Sequence, residues 1–284
     1  MTNQRAFPTR RDLGTGVAAL AALAACPHLA LAAADERGGR LGLAAIDTGT
    51  GRRVGQRADE RFALCSTFKL VLAASVLDRA SRGALDLRQR IDIAPDDLVP
   101  YAPVLEEHVG GQLTVEALCA AAVELSDNAA ANLLLGLTDG PEGWTRFARS
   151  LGDDVSRLDR REPELNVVVP GDPRDTTTPS AYLGLLERLL VGEALAPRAR
   201  KRLLRWLVRC ETGRERLRAG LPAGWRAGDK TGTGPAGEAN DVAILWPPGR
   251  APGSSPRSTC TPTPSRPRGT PSSDAAREVV AALG

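Results

Sequence analysis

Histidine and lysine are scarce in this chain of 284 residues: it has two histidines, His28 and His108, and three lysines among 37 basic residues. Two histidines leave little room for a histidine-ligated zinc site or for a hydrolase whose general base is an imidazole. Acid-base work then falls to Lys, Glu, Asp or Tyr. The five cysteines, at positions 26, 65, 119, 210 and 260, show no C-x-x-C spacing, which removes zinc ribbons and thioredoxin-like redox motifs. Charge of one sign is also short. A formal net charge of +3, with the arginines spread along the chain, makes no case for nucleic acid or an anionic membrane as the main partner. Small-molecule chemistry is the expectation that remains, in a chain 42% hydrophobic and long enough to bury a large core.

The few lysines are placed tellingly. Lys201 lies in the basic run Arg198-Ala199-Arg200-Lys201-Arg202 and reads as part of a solvated helix face. The other two sit in Ser66-Thr67-Phe68-Lys69 and Lys230-Thr231-Gly232. An amine loses its proton when desolvated or placed near positive charge, whereas a guanidinium stays charged. Lysine in an arginine-dominated chain therefore marks positions where a proton has to move.

Arg10-Arg11, followed by an Ala/Leu-rich stretch to Ala25, has the look of a twin-arginine export signal. The apolar run is shorter than the roughly twenty residues of a membrane span. Residues 1–34 are expected to be removed, with delivery to the periplasm or the medium. Cleavage before Cys26 would instead leave a lipid anchor, and the Ala-x-Ala sites near Ala34 suit ordinary processing.

Alternating Leu41, Leu43 and Ala45 followed by Asp47-Thr48-Gly49-Thr50-Gly51 predict a β-hairpin that continues through Val54. Helical periodicity takes over between Thr67 and Glu211. Strand patterns return at Trp225 to Thr233 and Asp241 to Trp246. The expected architecture is an α/β layer domain, an antiparallel sheet flanked by helices, formed by residues 35–61 and 213–284. An all-α domain occupies 62–212, with the ligand cleft between the two. Residues 252–273 contain no Val, Ile, Leu, Met or aromatic side chain, so no core strand is expected there. Helical spacing resumes over Asp274 to Leu283.

Ser66 stands where a loop yields to an apolar helix, so Lys69 falls on the same face one turn on. The helix N-terminal amides favour an oxyanion and lower the amine's pKa, which suits a serine nucleophile with a lysine proton acceptor. Taken singly, each motif is ordinary: an N-cap serine, a turn at Ser126-Asp127-Asn128, an edge lysine at Lys230.

In this order and at these separations, the three motifs resemble those of the serine β-lactamases and penicillin-binding proteins. A fourth segment, Arg157-Leu158-Asp159-Arg160-Arg161-Glu162-Pro163-Glu164-Leu165-Asn166 followed by Pro170 to Pro179, is similar to the omega loop of class A β-lactamases. The resemblance runs from about Arg40 to Pro252 and implies a β-lactamase/transpeptidase-like fold without metal or other cofactor. It makes Ser66 the acylated nucleophile and Lys69 a proton acceptor or relay. Glu162, helped by Asn166, activates the deacylating water, and the base for acylation is left open between Lys69 and Glu162. Ser126 passes a proton to the departing nitrogen with Lys230 beside it.

Substrate binding is implied for Tyr101, Asn128, Asn166, Arg216, Thr231, Gly232 and Thr233. Arg160 and Asp175 close the neck of the loop as an ion pair. The expected partners are small β-lactams, with no nucleic acid and no stable protein partner, and the chain is expected to be a monomer. Cys65 and Cys119 are expected to be free and buried, because the positions matching their bridging partners hold Gly234 and Ala73.

One departure stands out. Where the family continues with a central apolar strand, this chain has Gly253-Ser254-Ser255-Pro256-Arg257-Ser258-Thr259-Cys260. That predicts a lost central strand near 252–273, consistent with a pair of compensating frameshifts. Alternatives to hydrolysis are a D-Ala-D-Ala peptidase that keeps its acyl-enzyme, against which Glu162 and Asn166 argue, and an inactive relic caused by the altered tail.

Overall fold

The computed structural model describes residues 40–249 and 258–265, together with residues 277, 280 and 281, which are helical. The expected export signal over 1–34 and Cys26 lie outside the described residues.

Strands β1 (Arg40–Asp47) and β2 (Arg53–Gln56) form the first hairpin. Its turn is closed by Asp47, whose Oδ1 accepts from the Gly49 amide at 2.8 Å while its carbonyl accepts from the Gly51 amide at 2.7 Å. A short β3 (Phe62–Ala63) leads into helix α1 (Phe68–Ser81). Then β4 (Arg90–Asp92) and β5 (Gln112–Thr114) pair ahead of α2 (Val115–Glu124), α3 (Asn128–Gly136) and α4 (Gly140–Ser150). Strand β6 (Thr176–Thr177) pairs with β3 and precedes α5 (Pro179–Leu186) and α6 (Pro197–Arg209). The second hairpin, β7 (Arg226–Thr233) with β8 (Ala239–Trp246), is followed by β9 (Ser258–Ser265).

Every residue of α1 from Phe68 to Leu77 is buried, as fits a helix apolar on all sides. It lies at the centre of a large apolar cluster that takes in α2, α3, Trp144 of α4, α5 and α6. Val242, Ile244 and Trp246 join this cluster from one face of β8. From the other face Ala243 and Leu245 meet Leu43, Ala45, Leu217 and Ala227 in a smaller one. The alternation along β8 thus gives a sheet buried on both faces, one against the helices that carry Ser66 and Lys69. Cys65 and Cys119 are free and buried, as expected, and so is Cys210.

The five-stranded antiparallel sheet has the order β2-β1-β9-β8-β7. The expected loss of the central strand is therefore corrected: Ser258–Ser265 fills that place and joins the two hairpins. Side-chain composition pointed away from a strand, but the edges of β1 and β8 present backbone groups that need partners whatever side chains the partner bears.

The sequence still leaves its mark on the ladder. Pairing with β1 runs the whole length, from Asp47↔Ser258 to Arg40↔Ser265. Pairing with β8 comprises Leu245↔Ser258, Ile244↔Thr259 and Ala243↔Cys260. Continued in register, the next alternate position would set Pro262 opposite Asp241, with Pro264 two residues further along. Residues two apart in a strand direct their amides to the same edge, and proline has none to give. Both missing donors thus fall on the β8 side. Replacing Pro262 and Pro264 together by valine restores two donors, each bond contributing about 1 kcal/mol. Thermal unfolding is expected to shift up by several degrees, and an unchanged or lower midpoint contradicts the assignment.

Candidate active site

Ser66 sits in a single 3-10 turn, Cys65–Thr67, that runs directly into α1. Cys65 has a φ of 41°, a left-handed conformation costly for a side chain with a Cβ, and surrounding contacts hold it there. The Leu64 amide donates to the Asp175 carbonyl at 2.8 Å, and the Tyr182 hydroxyl donates to the Thr67 carbonyl at 2.7 Å. The Trp144 indole donates to the Phe68 carbonyl at 3.0 Å. From the sheet side Gly232 closes the turn. A Cβ there would lie 3.0 Å from the Leu64 oxygen and 3.2 Å from the Ser66 amide nitrogen, so the strand approaches only because it has none.

One turn along α1, Lys69 is wholly buried, and its Nζ donates to Ser66 Oγ at 2.9 Å and to the Ser126 carbonyl at 2.8 Å. It also donates to Asn128 Oδ1 and pairs with Glu162 Oε1 at 3.1 Å. Burial pushes the amine's pKa down, and the Glu162 carboxylate opposes that shift. Ser66 Oγ in turn donates to Glu162 Oε1 at 3.3 Å. The hydroxyl therefore touches an amine and a carboxylate at once.

Glu162 is held from three directions. Asn166 Nδ2 donates to its Oε2 at 2.6 Å. Asn132 Oδ1 accepts from the Glu162 amide at 3.0 Å, and Asn132 Nδ2 donates to the Glu162 carbonyl at 2.8 Å. The loop neck is an ion pair between Arg160 Nε and Asp175 Oδ2 at 2.5 Å. Asp175 Oδ1 also accepts from the amides of Asp159 and Arg160 at 2.7 and 3.0 Å. Its carbonyl is the one that holds Leu64, so the same residue ties the loop's neck to the segment that carries Ser66.

Ser126 has a φ of 63° and follows the end of α2. Asp127 caps α3 through the Ala130 amide at 2.8 Å, while its other oxygen accepts from the amides of Val104 and Leu105 at 2.9 and 3.1 Å. The Asn128 amide donates to the Tyr101 carbonyl at 3.0 Å, and Asn128 Nδ2 donates to the Pro100 carbonyl at 2.7 Å. These bonds dock the loop that presents Tyr101, a residue 57% exposed on the rim.

On β7, Lys230 is buried and donates to Ser126 Oγ at 2.9 Å and to the Thr231 carbonyl at 2.8 Å. Its pKa is pushed down to about 8, first by burial, with the Lys69 charge acting in the same direction against a rise from Cys210 and the nearby aspartates. Thr231 Oγ1 lies 2.5 Å from Thr212 Oγ1. Arg216 Nη2 donates to Thr233 Oγ1 at 3.0 Å, and Nη1 donates to the Asn240 carbonyl at 3.3 Å. The guanidinium is thus laid along the end of the strand.

The structure links Ser66, Lys69, Ser126, Asn128, Glu162, Asn166 and Lys230 in one hydrogen-bonded string. Thr231, Thr233 and Arg216 line up beside it, with Gly232 beneath and Tyr101 on the rim. Sequence reasoning did not single out Asn132, Asp127, Tyr182 or Trp144 as members of the site. Asn132 had a signal, because Asn128 and Asn132 are one helical turn apart and face the same way. The aromatic pair had none, since they come from distant helices. Among the described residues no group of three or more His, Cys, Asp or Glu side chains is placed to hold a metal ion.

Comparison with known proteins converges on one group. A family model described as "Beta-lactamase enzyme family" matches residues 28–253. Beta-lactamase CTX-M-97 of Escherichia coli is 50% identical over 215 residues, 76% of this chain and 74% of the relative. Beta-lactamase L2 of Stenotrophomonas maltophilia is 51% identical over 209 residues, 74% of this chain and 69% of the relative. Among solved structures, an ancestral class A β-lactamase superposes with a TM-score of 0.83 at 54% identity, covering 89% of this chain and 98% of that one. The β-lactamase of Desulfarculus baarsii gives a TM-score of 0.86 at 50% identity, covering 92% and 98%.

Proposed function

This chain belongs to the beta-lactamase enzyme family as a class A serine enzyme that hydrolyses β-lactams, and we propose that Ser66 is its nucleophile and Glu162 the group that releases the product. The observation that carries the assignment is the position of Ser66 Oγ, 2.9 Å from the Lys69 amine and 3.3 Å from the Glu162 carboxylate. A hydroxyl so placed has a proton acceptor on either side.

In acylation, Ser66 Oγ bonds to the lactam carbonyl carbon as its proton passes to Lys69 or Glu162. The amides of Ser66 and Thr233 receive the oxyanion. The ring C–N bond then breaks, and the departing nitrogen takes a proton from Ser126, which is reprotonated by the proton that Lys69 or Glu162 accepted from Ser66. Lys230, 2.9 Å from Ser126 Oγ, steadies the charge on that hydroxyl. Deacylation reverses the pattern: Glu162, oriented by Asn166, takes a proton from water, the new C–O bond forms, and the ester bond to Ser66 breaks as the Ser66 oxygen takes a proton back from Glu162, directly or through Lys69.

The substrate's carboxylate is received by Lys230, Ser126, Thr231 and Thr233, with the Arg216 guanidinium alongside. Asn128 contacts the side-chain amide through the N–H that Pro100 does not take, Gly232 lets the strand lie close to the ring, and Tyr101 forms one wall. Arg160 and Asp175 keep Glu162 in register by closing the loop.

The same reading includes a helical domain over 62–212 and an α/β domain over 35–61 and 213–284, supported by two apolar clusters on opposite faces of β8. It also includes export by the twin-arginine signal to the periplasm or medium, with cleavage after the signal or lipid anchoring at Cys26. Action as a monomer and a role in β-lactam resistance complete it.

Glu162→Gln keeps the shape of the loop and removes the water-activating charge. Turnover is expected to fall by roughly 10²- to 10⁴-fold, the usual contribution of a general base, while intact-mass spectra show the acyl-enzyme accumulating. Rapid turnover without accumulation would refute the assignment. A second expectation follows from Lys230, which carries its charge below about pH 8 and loses it above. The kcat/KM for a carboxylate-bearing penicillin should fall as pH rises through that range, with KM accounting for much of the loss. A flat profile to pH 10 would count against the role given to Lys230.

A further inference from the structure

The two amides assigned to the oxyanion come from separate pieces of chain, Ser66 from the turn before α1 and Thr233 from the end of β7. Their spacing is set by whatever fills the seam between these pieces. Gly232 faces that seam, with the place of its Cβ 3.0 Å from Cys65 Cβ. Residues two apart in a strand share a face, and so do residues paired across a ladder. Asn240 is paired with Gly232, and the Gly234 amide donates to the Glu238 carbonyl at 3.0 Å, one step beyond the pair Thr233↔Ala239. Gly232, Gly234, Glu238 and Asn240 therefore all look toward residues 64–66. Asn240 acts accordingly: its Nδ2 donates to the Ala63 and Leu64 carbonyls at 2.6 and 3.2 Å.

Glu238 has no part in the reaction above, and it is buried although Pro235 and Ala236 beside it are exposed. Its carboxylate folds back under the β7–β8 turn. The Gly237 amide closes that turn on the Gly234 carbonyl at 3.3 Å, and the Ala236 amide donates to Glu238 Oε2 at 3.1 Å. The same Oε2 stands 2.2 Å from where a Cβ of Gly234 would be. The carboxylate thus takes the space of a side chain at Gly234, directly after Thr233. Its charge also reaches Cys65, where burial pushes the thiol's pKa up and Glu238 is the next largest cause.

We propose that Glu238 is a positioning residue for the oxyanion site: its carboxylate braces the β7–β8 turn from beneath Gly234 and so fixes how far the Thr233 amide stands from the Ser66 amide. The proposal deepens the reading of Ser66 as nucleophile and rests on it. Without the brace the space beneath Gly234 is open, the Ala236 amide turns to water, and only Asn240 fastens this end of the hairpin to residues 63–64. An oxyanion donor acts through its exact placement, so a small drift of the strand end weakens it. The role needs bulk and an acceptor oxygen, both of which glutamine keeps.

Infrared spectra of the acyl-enzyme test this, in the Glu162→Gln background with benzylpenicillin carbon-13 labelled at the lactam carbonyl. The ester C=O band reports the hydrogen bonds its oxygen receives, and a donor that moves away raises the wavenumber. Adding Glu238→Ala should shift the band up. With Glu162 intact, Glu238→Ala should slow acylation by about tenfold, a part of the roughly 10²- to 10³-fold that outright loss of an oxyanion donor costs. Glu238→Gln should keep the wild-type band and rate. A residue that merely supports the fold lowers the yield of folded protein and leaves the band in place. An unmoved band in Glu238→Ala, or a band displaced equally in Glu238→Gln, overturns the proposal and leaves the nucleophile assignment standing. Absence of any ester band in Glu162→Gln alone overturns both. Should Glu238→Ala not fold, Glu238→Asp, which withdraws the carboxylate by one methylene, is read by the same outcomes.

Discussion

Taking an ammonium group out of water costs on the order of several kcal/mol unless hydrogen bonds and opposite charge replace its hydration, and two buried lysines bear that cost, Lys69 against Ser66 and Lys230 against Ser126. Lys69 is compensated by a carboxylate, two side-chain oxygens and a backbone carbonyl. Lys230 has a hydroxyl and a carbonyl in direct contact, and its aspartates act from further off. That difference fits the division of labour: an amine with a bound carboxylate can exchange a proton with it, while a less compensated cation is available to an incoming anion.

Holding such a network requires stiffness, and the stiffness comes from the surroundings. The left-handed residues Cys65 and Ser126 stand directly before Ser66 and at Ser126 itself, the two hydroxyls proposed as nucleophile and proton donor. Asp175 couples the loop that bears Glu162 to the segment entering α1, through a carboxylate on one side and a carbonyl on the other. Gly232 lets β7 lie against the same segment. Displacing any one of these would move the hydroxyl relative to the amine and the carboxylate beside it, and misplacement of about 1 Å can cost on the order of a hundredfold in rate.

The site was legible in the sequence wherever chemistry follows local spacing. Ser66 and Lys69 meet because they are one helical turn apart, and the two hairpins follow from alternation and turn residues. Contacts made by tertiary packing left no such trace: Tyr182 and Trp144 reach the Ser66 turn from α5 and α4. The central strand was misjudged for a related reason. Side-chain propensity argued against Ser258–Ser265, but a gap between two hairpins is filled by backbone pairing, and the prolines determine only how far that pairing extends toward β8.

The placement of Ser66 Oγ between an amine and a carboxylate underlies every catalytic role assigned here. Time-resolved intact-mass and peptide-mapping spectrometry of the wild-type protein mixed with benzylpenicillin tests it most directly. The expected record is a transient gain of the whole antibiotic's mass on the peptide containing Ser66, decaying to free enzyme as ring-opened product appears. Folded protein that gains no such mass, or gains it on another residue, would contradict the assignment.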